Sequence, residues 1–520
     1  MRVLFAVLVG LAVMTSREEA ASGQQAPRVD YNAKPISAVR YLKASNPGED
    51  DRLGVGDLLV GTTLAISEDG NTLAVSTPYE DSGATGVNGR QNDESVFDSG
   101  AAYIFVRQGT SWRQQAYVKP SNTESSDKFG WALALSGDGN TLAVAATLED
   151  SAARGINGDQ RDNSAEESGA VYVFVRNGTS WTQQAYVKAS NTDAGDQFGW
   201  SVALSRDGAT MVVGSPSEGS AAASIDGNQA DNAAADAGAA YVYVRRGTTW
   251  TPQSYLKASN AQGADRFGFC VALSADGNTV AVTGYDEDGS ATGVNGVKNN
   301  DTPNSGAVYV FGRRGTAWSE ETYLKASNTT NNAAFGSTLV ISADGNTLAA
   351  GSGDEDGLSP GINGDQRYEP TNERSAGAVY VFGRSNGAWA QQAYVKAFNI
   401  GAWDLFGARM ALSRDGNVLA VGAPGQKGGG RGINPDPKDV SAPESGAVYL
   451  FTREGSTWSQ KTYLKAPNSD AYDHFGSGVA ISGDGSVLAL AADGDDGGSN
   501  GVGGNQGDNS LRDAGAVFVY

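Results

Sequence analysis

The 520-residue sequence holds one cysteine, Cys270, and one histidine, His474. An internal disulfide is therefore impossible, and so is a zinc cage built from Cys and His. Any Ser-His-Asp mechanism would rest on His474 alone. Basic residues are scarce: 38 Lys and Arg face 59 Asp and Glu, a formal net charge of −21. That balance argues against a nucleic-acid partner, which requires a basic stripe to displace counterions from phosphate. The N-terminal apolar run over residues 3–14 falls short of the ~20 residues a membrane-spanning helix needs. Preceded by Arg2, it reads as a secretory signal over 1–21, followed by a linker over 22–35. The expectation is a mature chain without a transmembrane segment, secreted, periplasmic or at the cell surface.

Glycine, by contrast, is abundant at 70 residues, so turns are frequent. One unit recurs seven times, registered on the tyrosine of Tyr-(Leu/Val)-Lys at Tyr41, Tyr117, Tyr186, Tyr255, Tyr323, Tyr394 and Tyr463. The successive periods are 76, 69, 69, 68, 71 and 69, a regularity that signals a repeat architecture. Each unit carries four strand-like stretches, a to d, which in the third unit cover 200–205, 210–215, 239–245 and 250–258. In stretch c, Tyr241 and Tyr243 alternate with Val242 and Val244, the period of a sheet. Ser-x-Asp-Gly between a and b, and Arg-x-Gly-Thr between c and d, supply hairpin turns. Seven four-stranded antiparallel units, none able to bury both faces alone, predict an all-β, seven-bladed β-propeller over residues 36–520. The last unit stops at Tyr520 after stretch c, and a surplus d-like stretch lies at 36–44. Pairing the two closes the ring and removes an open edge.

Phe-Gly opens stretch a at Phe129-Gly130, Phe198-Gly199, Phe267-Gly268, Phe335-Gly336, Phe406-Gly407 and Phe475-Gly476, with Val60-Gly61 in its place in the first unit. Stretch b ends in Val421-Gly422-Ala423-Pro424 and, nearly so, in Val213-Gly214-Ser215-Pro216. These units resemble FG-GAP repeats, the blades of integrin α-subunit propellers and of many exported bacterial proteins. The resemblance spans about residues 36–520 and implies the propeller fold. Integrin-type blades can carry a Ca²⁺ loop of the Asp-x-Asp-x-Asp-Gly kind between the two halves of the motif. Here that interval is a tight turn with one carboxylate, as at 413–417, too few oxygens for the six to eight calcium takes. Asp138, Asp207, Asp276, Asp344, Asp415 and Asp484 are instead expected to cap the hairpins through Asx-type hydrogen bonds.

Oxygen-rich segments recur in the long b–c loops. The candidate metal ligands there are Asp150, Asn157, Asp159 and Asp162 in the second unit; Asp286, Asp288, Asn295 and Asp301 in the fourth; and Asp493, Asp495, Asn505 and Asp508 in the seventh. Two readings are open: loops whose Asn and Asp side chains bond their own backbone, or loops that wrap Ca²⁺, the one candidate cofactor. Residues that recur in every unit read as architecture: the tryptophans Trp112, Trp181, Trp250, Trp318, Trp389 and Trp458, the lysines of Tyr-(Leu/Val)-Lys, and the aspartate of Asp-x-Phe-Gly. Exceptions to the repeat point to function. Trp131, Trp200 and Phe269 follow Phe-Gly in units two to four, where Ser337, Ala408 and Ser477 stand in units five to seven; clustered aromatics can stack a sugar or anchor a peptide. His474 occupies a position that also takes Lys128, Gln197 and Leu405, so it reads as solvent-facing, and Cys270 reads as a small buried hydrophobe.

The b–c and d–a loops fall on one rim, acidic and variable, which is the expected contact surface. The function that follows is a non-catalytic exported scaffold binding a protein or carbohydrate ligand on that rim. The alternatives are a glycoside hydrolase or lyase using two rim carboxylates, and a structural spacer.

Overall fold

The computed structural model describes residues 39–55, 61–367 and 375–520. The signal and linker expected over 1–35, and Val60, lie outside the described residues. The chain forms seven antiparallel sheets, each built on strands a to d in sequence order. In blade three these are Ser201–Leu204, Thr210–Ser215, Ala239–Arg246 and Thr249–Leu256, within two residues of the stretches read from the sequence. Blade seven takes its d strand from the other end of the chain. Arg40–Leu42 pairs antiparallel with Ala516–Val519, Tyr41 opposite Phe518, so the ring is closed by the N-terminal strand. Among the described residues no helix is long and apolar enough to cross a membrane.

Alternation within strands sets how blades pack. One face of blade two offers Ala143, Ala145, Val171 and Val173; it meets Met211, Val213, Tyr241, Tyr243 and Trp250 of blade three. The other face of blade three, with Val212, Ala240 and Val242, meets Tyr309, Phe311 and Trp318 of blade four. Small side chains on one blade thus receive large aromatics from the next, which fills each interface at the density of a core. The outer tryptophans belong to this packing: Trp181 is buried, its indole N–H donates to Gln115 Oε1 of the preceding blade at 2.9 Å, and the Arg176 guanidinium lies 5.5 Å from its ring.

The two glycine motifs meet between blades. A Cβ on Gly238 would come within 2.1 Å of the Phe267 carbonyl oxygen, and one on Gly268 (φ 97°) within 2.1 Å of that of Ala239. The backbones touch there, so both glycines recur. The same contact corrects the reading of the first blade. Leu53-Gly54, not Val60-Gly61, holds the Phe-Gly position: Leu53 N–H donates to Ala514 O as Phe475 N–H does to Ser445 O, and Gly515 lies against Leu53 as Gly446 lies against Phe475. Seven residues, 55–61, are inserted after this pair, which accounts for a first period of 76 rather than 69. Gly61 itself packs on the Trp131 and Trp200 carbonyls.

At the a–b turns the blades are tied by a closed circle of backbone hydrogen bonds. Glu68 N–H donates to Gly137 O, Gly137 to Arg206, Arg206 to Ala275, Ala275 to Ala343, Ala343 to Arg414, Arg414 to Gly483, and Gly483 back to Glu68, each at 2.9–3.0 Å. The turn aspartates hold the shape of the loops that form it. Asp138 Oδ1 accepts from Ser136 Oγ at 2.6 Å and Asn140 N at 2.9 Å, and Asp207, Asp276, Asp344, Asp415 and Asp484 repeat the pattern.

Candidate functional site

The long b–c loops fold outward and back onto strand d of their own blade. Ile156 bridges Val187, Val294 bridges Leu324, and Val502 bridges Leu42. This covers the edge strand that would otherwise expose unpaired backbone groups. The candidate metal ligands take part in that folding. Asn157, at φ 56°, accepts the Tyr186 N–H at 3.0 Å, and Asn295 accepts that of Tyr323 at 2.9 Å. Asp150 accepts the Glu167 N–H, Asp159 that of Arg161, Asp162 that of Ser164 and Asp288 that of Asn304, all at 2.8–3.0 Å. Asn505 and Asp508 accept the Gly507 and Ser510 N–H at 3.1 and 3.2 Å. Asp301 accepts from the Asn299 side chain, and Asp286 pairs with Arg266 at 3.3 Å. Among the described residues no group of three or more His, Cys, Asp or Glu side chains is arranged to hold a metal ion.

Asp495, another of the candidates, has a different role. It is buried, pairs with Lys43 Nζ at 3.2 Å, and accepts from Tyr41 Oη at 2.7 Å and Asn468 Nδ2 at 2.8 Å. It is the seventh-blade member of a set that recurs around the ring. In blade two, Glu149 accepts from Tyr186 Oη at 2.7 Å, Lys188 Nζ at 2.8 Å and the Ser151 N–H at 3.1 Å. Glu80–Lys119, Glu218–Lys257, Glu287–Lys325 and Glu355–Lys396 repeat this, with every lysine side chain at 0% exposure. A buried charge is tolerated only when paired and hydrogen-bonded, and here the carboxylate is fully satisfied. The sequence carried a signal for these pairs: a glutamate 39 residues before the lysine in three successive units. It was obscured because the same glutamates adjoin the acidic residues that look like metal ligands.

Blade six breaks the set. Gln426 stands where the others have a carboxylate; its Oε1 accepts from Lys465 Nζ at 3.0 Å and from Tyr463 Oη at 3.1 Å, and Ser445 Oγ is 2.7 Å from the amine. Burial lowers the Lys465 pKa to about 7, with Asp404, Asp439 and Asp473 opposing that shift at longer range. The aspartates of Asp-x-Phe-Gly are also buried: burial pushes Asp51, Asp127 and Asp473 up to about 8 and Asp196 and Asp265 to about 7.

The three aromatics singled out by their irregularity are brought together. Trp131 and Trp200 lie 5.1 Å apart between ring centres, Trp200 and Phe269 5.6 Å, and Tyr285 extends the run by stacking on Phe269 at 4.2 Å. The run follows blades two to four at the start of their a strands, at the channel mouth on the long-loop rim. Trp131 and Trp200 are half-buried. Beside them is a cavity of about 70 Å³ lined by Trp200, Phe269, Cys270, Ser337 and Arg409. Cys270 differs from expectation: it is half-buried, on the same strand face as Ala272 toward blade five, its Sγ 3.3 Å from the Ser337 carbonyl oxygen at the edge of this cavity. Burial pushes its thiol up to about 12. His474 is 28% exposed, between Glu444 and Asp493 at 3.4 and 3.5 Å, rather than freely solvated. Burial works against its charge, but Asp493 and Glu444 hold its pKa above the usual histidine value.

The FG-GAP repeat family matches residues 112–174, 181–243, 250–311 and 458–520, each window running from strand d of one blade to strand c of the next. This chain is an FG-GAP-repeat β-propeller. No curated protein sequence matches it. Among solved structures the propeller is similar to hydrazine synthase of Kuenenia stuttgartiensis, at 13% identity over 86% of this chain and 94% of that one, with a TM-score of 0.45. It is also similar to the Cps50 (Swd1) β-propeller domain of Myceliophteria thermophila, at 9% identity over 89% and 96%, TM-score 0.46. A third likeness is to the periplasmic gluconolactonase of Pseudomonas aeruginosa, at 14% identity over 84% and 98%, TM-score 0.41.

Proposed function

We propose that this FG-GAP propeller is a non-catalytic, exported scaffold that binds a protein or glycan on its long-loop rim, with Trp131 and Trp200 as its principal contacts and Phe269, 4% exposed, packed behind them. The observation that supports the reading is the asymmetry of the channel mouth. Blades that are otherwise near-copies carry touching aromatics on one side and Ser337, Ala408 and Ser477 on the other. Packing of the ring does not require this, since blades five to seven assemble without it. Aromatic residues at the centre of an interface carry much of its binding energy, about 2 kcal/mol or more when truncated. The test is a glycan array and a displayed-peptide library, each applied to the full chain and to the Trp131→Ala/Trp200→Ala variant. Ligands recovered on the wild type are expected to bind the variant at least about 30-fold more weakly, the equivalent of that energy. Binding unaffected by the double substitution, or turnover of a glycoside by the wild type, overturns the reading.

A further inference from the structure

We propose that the blade-six sector of the rim is a docking surface for an acidic polypeptide segment bearing a large apolar side chain, held between Trp403 and Tyr472. The proposal rests on the reading of the rim as a binding face and assigns it a second sector and a class of partner.

Each d–a loop turns through two residues with left-handed backbone, two positions apart, the second of them Arg52, Lys128, Gln197, Arg266, Ala334, Leu405 or His474. In blades one to five the first is Asp50, Ser126, Gly195, Ala264 or Asn332, with φ between 57° and 83°. Small residues, and Gly, Asn and Asp above all, accept this conformation. In blades six and seven the position is taken by Trp403 (φ 67°) and Tyr472 (φ 69°). A bulky side chain is disfavoured there. The two side chains are 52% and 56% exposed. Two adjacent blades thus hold exposed aromatics where five others manage with small residues.

The b–c loop of blade six, residues 424–446, lies between them. Lys427 Nζ reaches the Ala402 carbonyl at 3.5 Å on the Trp403 side. On the other side the Pro443 carbonyl accepts the Tyr472 N–H at 2.9 Å, and Arg431 pairs with Asp470 at 3.4 Å. Val440 in this loop is 70% exposed. The loop also differs in charge. Lys427, Arg431 and Lys438 balance Asp436, Asp439 and Glu444 to zero, whereas the equivalent loops of the other six blades each carry −3 or −4. On a molecule of net charge −21, this neutral loop is the b–c loop that repels an acidic segment least, and it alone among the seven offers as many basic as acidic side chains. A neutral glycan would gain nothing from the charge difference.

The experiment pans a library of random displayed 12-residue peptides on the full chain and on two variants. Trp403→Asn/Tyr472→Asn installs the residue found at the same turn in blade five, so its thermal midpoint is expected to equal or exceed that of the wild type. Lys427→Glu/Lys438→Glu gives the loop the charge of its siblings. The expected result is enrichment of peptides rich in Asp and Glu with a large apolar residue, each variant weakening them at least about ten-fold. Enriched peptides that are basic, that bind both variants as well as the wild type, or an absence of enrichment overturns the proposal. So does binding, on a glycan array, that Trp403→Asn abolishes and the charge reversal leaves intact. If peptides depend on Trp131 and Trp200 but not on Trp403 and Tyr472, this sector fails while the rim remains a binding face.

Discussion

Gln426→Glu should stabilise the propeller by restoring the missing ion pair of blade six. In the present protein the buried Lys465 amine sits 3.0 Å from the Gln426 amide oxygen and 2.7 Å from Ser445 Oγ, and its pKa falls from 10.5 to about 7. A fall of that size, at about 1.4 kcal/mol for each factor of ten, amounts to about 4 kcal/mol of lost stability at neutral pH. A glutamate recovers only part of this, because its own desolvation takes a few kcal/mol. The expected net gain is therefore about 1–3 kcal/mol, or about 1–3 °C in the thermal midpoint of a chain this large. The pH dependence is the sharper test. A lysine whose folded pKa is depressed contributes stability present above its unfolded value of 10.5 and lost as pH falls toward about 7. The gap between Gln426→Glu and wild type should therefore be small near pH 10, open as pH falls to 7, and then level off. The mirror substitution, Glu149→Gln in blade two, leaves Lys188 in the situation of Lys465 and should lower stability by the same net amount, about 1–3 kcal/mol. Differential scanning calorimetry of the three proteins from pH 6 to 10 measures both. A Gln426→Glu variant no more stable than wild type at pH 7, or a gap that does not narrow toward pH 10, refutes the reasoning.

The buried aspartates act in the opposite sense. Asp127, raised to about 8 by burial and by the nearby charge of Glu149, has Oδ2 without a hydrogen-bond partner; its contribution is complete below the unfolded value of 3.8 and is lost as pH rises toward 8. Asp127→Asn should reduce the fall of stability with pH by about 1.4 kcal/mol per pH unit between pH 5 and 7, read from urea unfolding; an unchanged slope would show that the carboxyl ionises freely. Deleting residues 36–46 removes the strand paired with Ala516–Val519 and should lower the thermal midpoint by many degrees, whereas unchanged unfolding would mean the ring does not depend on its closing strand. Excess calcium should leave the midpoint within about 1 °C of the value in chelator, because the b–c loop oxygens already accept amide protons. Saturation at 100 times a dissociation constant would add about 2.7 kcal/mol, and a rise of that size would show that those loops take up calcium.

The repeat, its seven copies, the four strands of each blade and closure by the surplus N-terminal strand were all legible in the sequence. They rest on local physics. A pleat imposes period 2 on Tyr241 to Val244, a hairpin needs a glycine at a fixed place, and an unpaired d strand at one end must answer an unpaired c strand at the other. The likeness of the blades also marked Trp131, Trp200 and Phe269 as exceptions. What tertiary structure decided was which atoms those residues meet. Asp150, Asp159, Asp162, Asp288 and Asp508 point at amides 2 to 17 residues away, since a left-handed turn at Asn157 or Asn295 lays each loop along its own d strand. The glutamate–lysine pairs join a loop to a strand across about 39 residues, and no local period encodes that distance. Leu53-Gly54 replaced Val60-Gly61 because the match that counts is contact with Gly515, at the far end of the chain, and only the closed ring brings the two together.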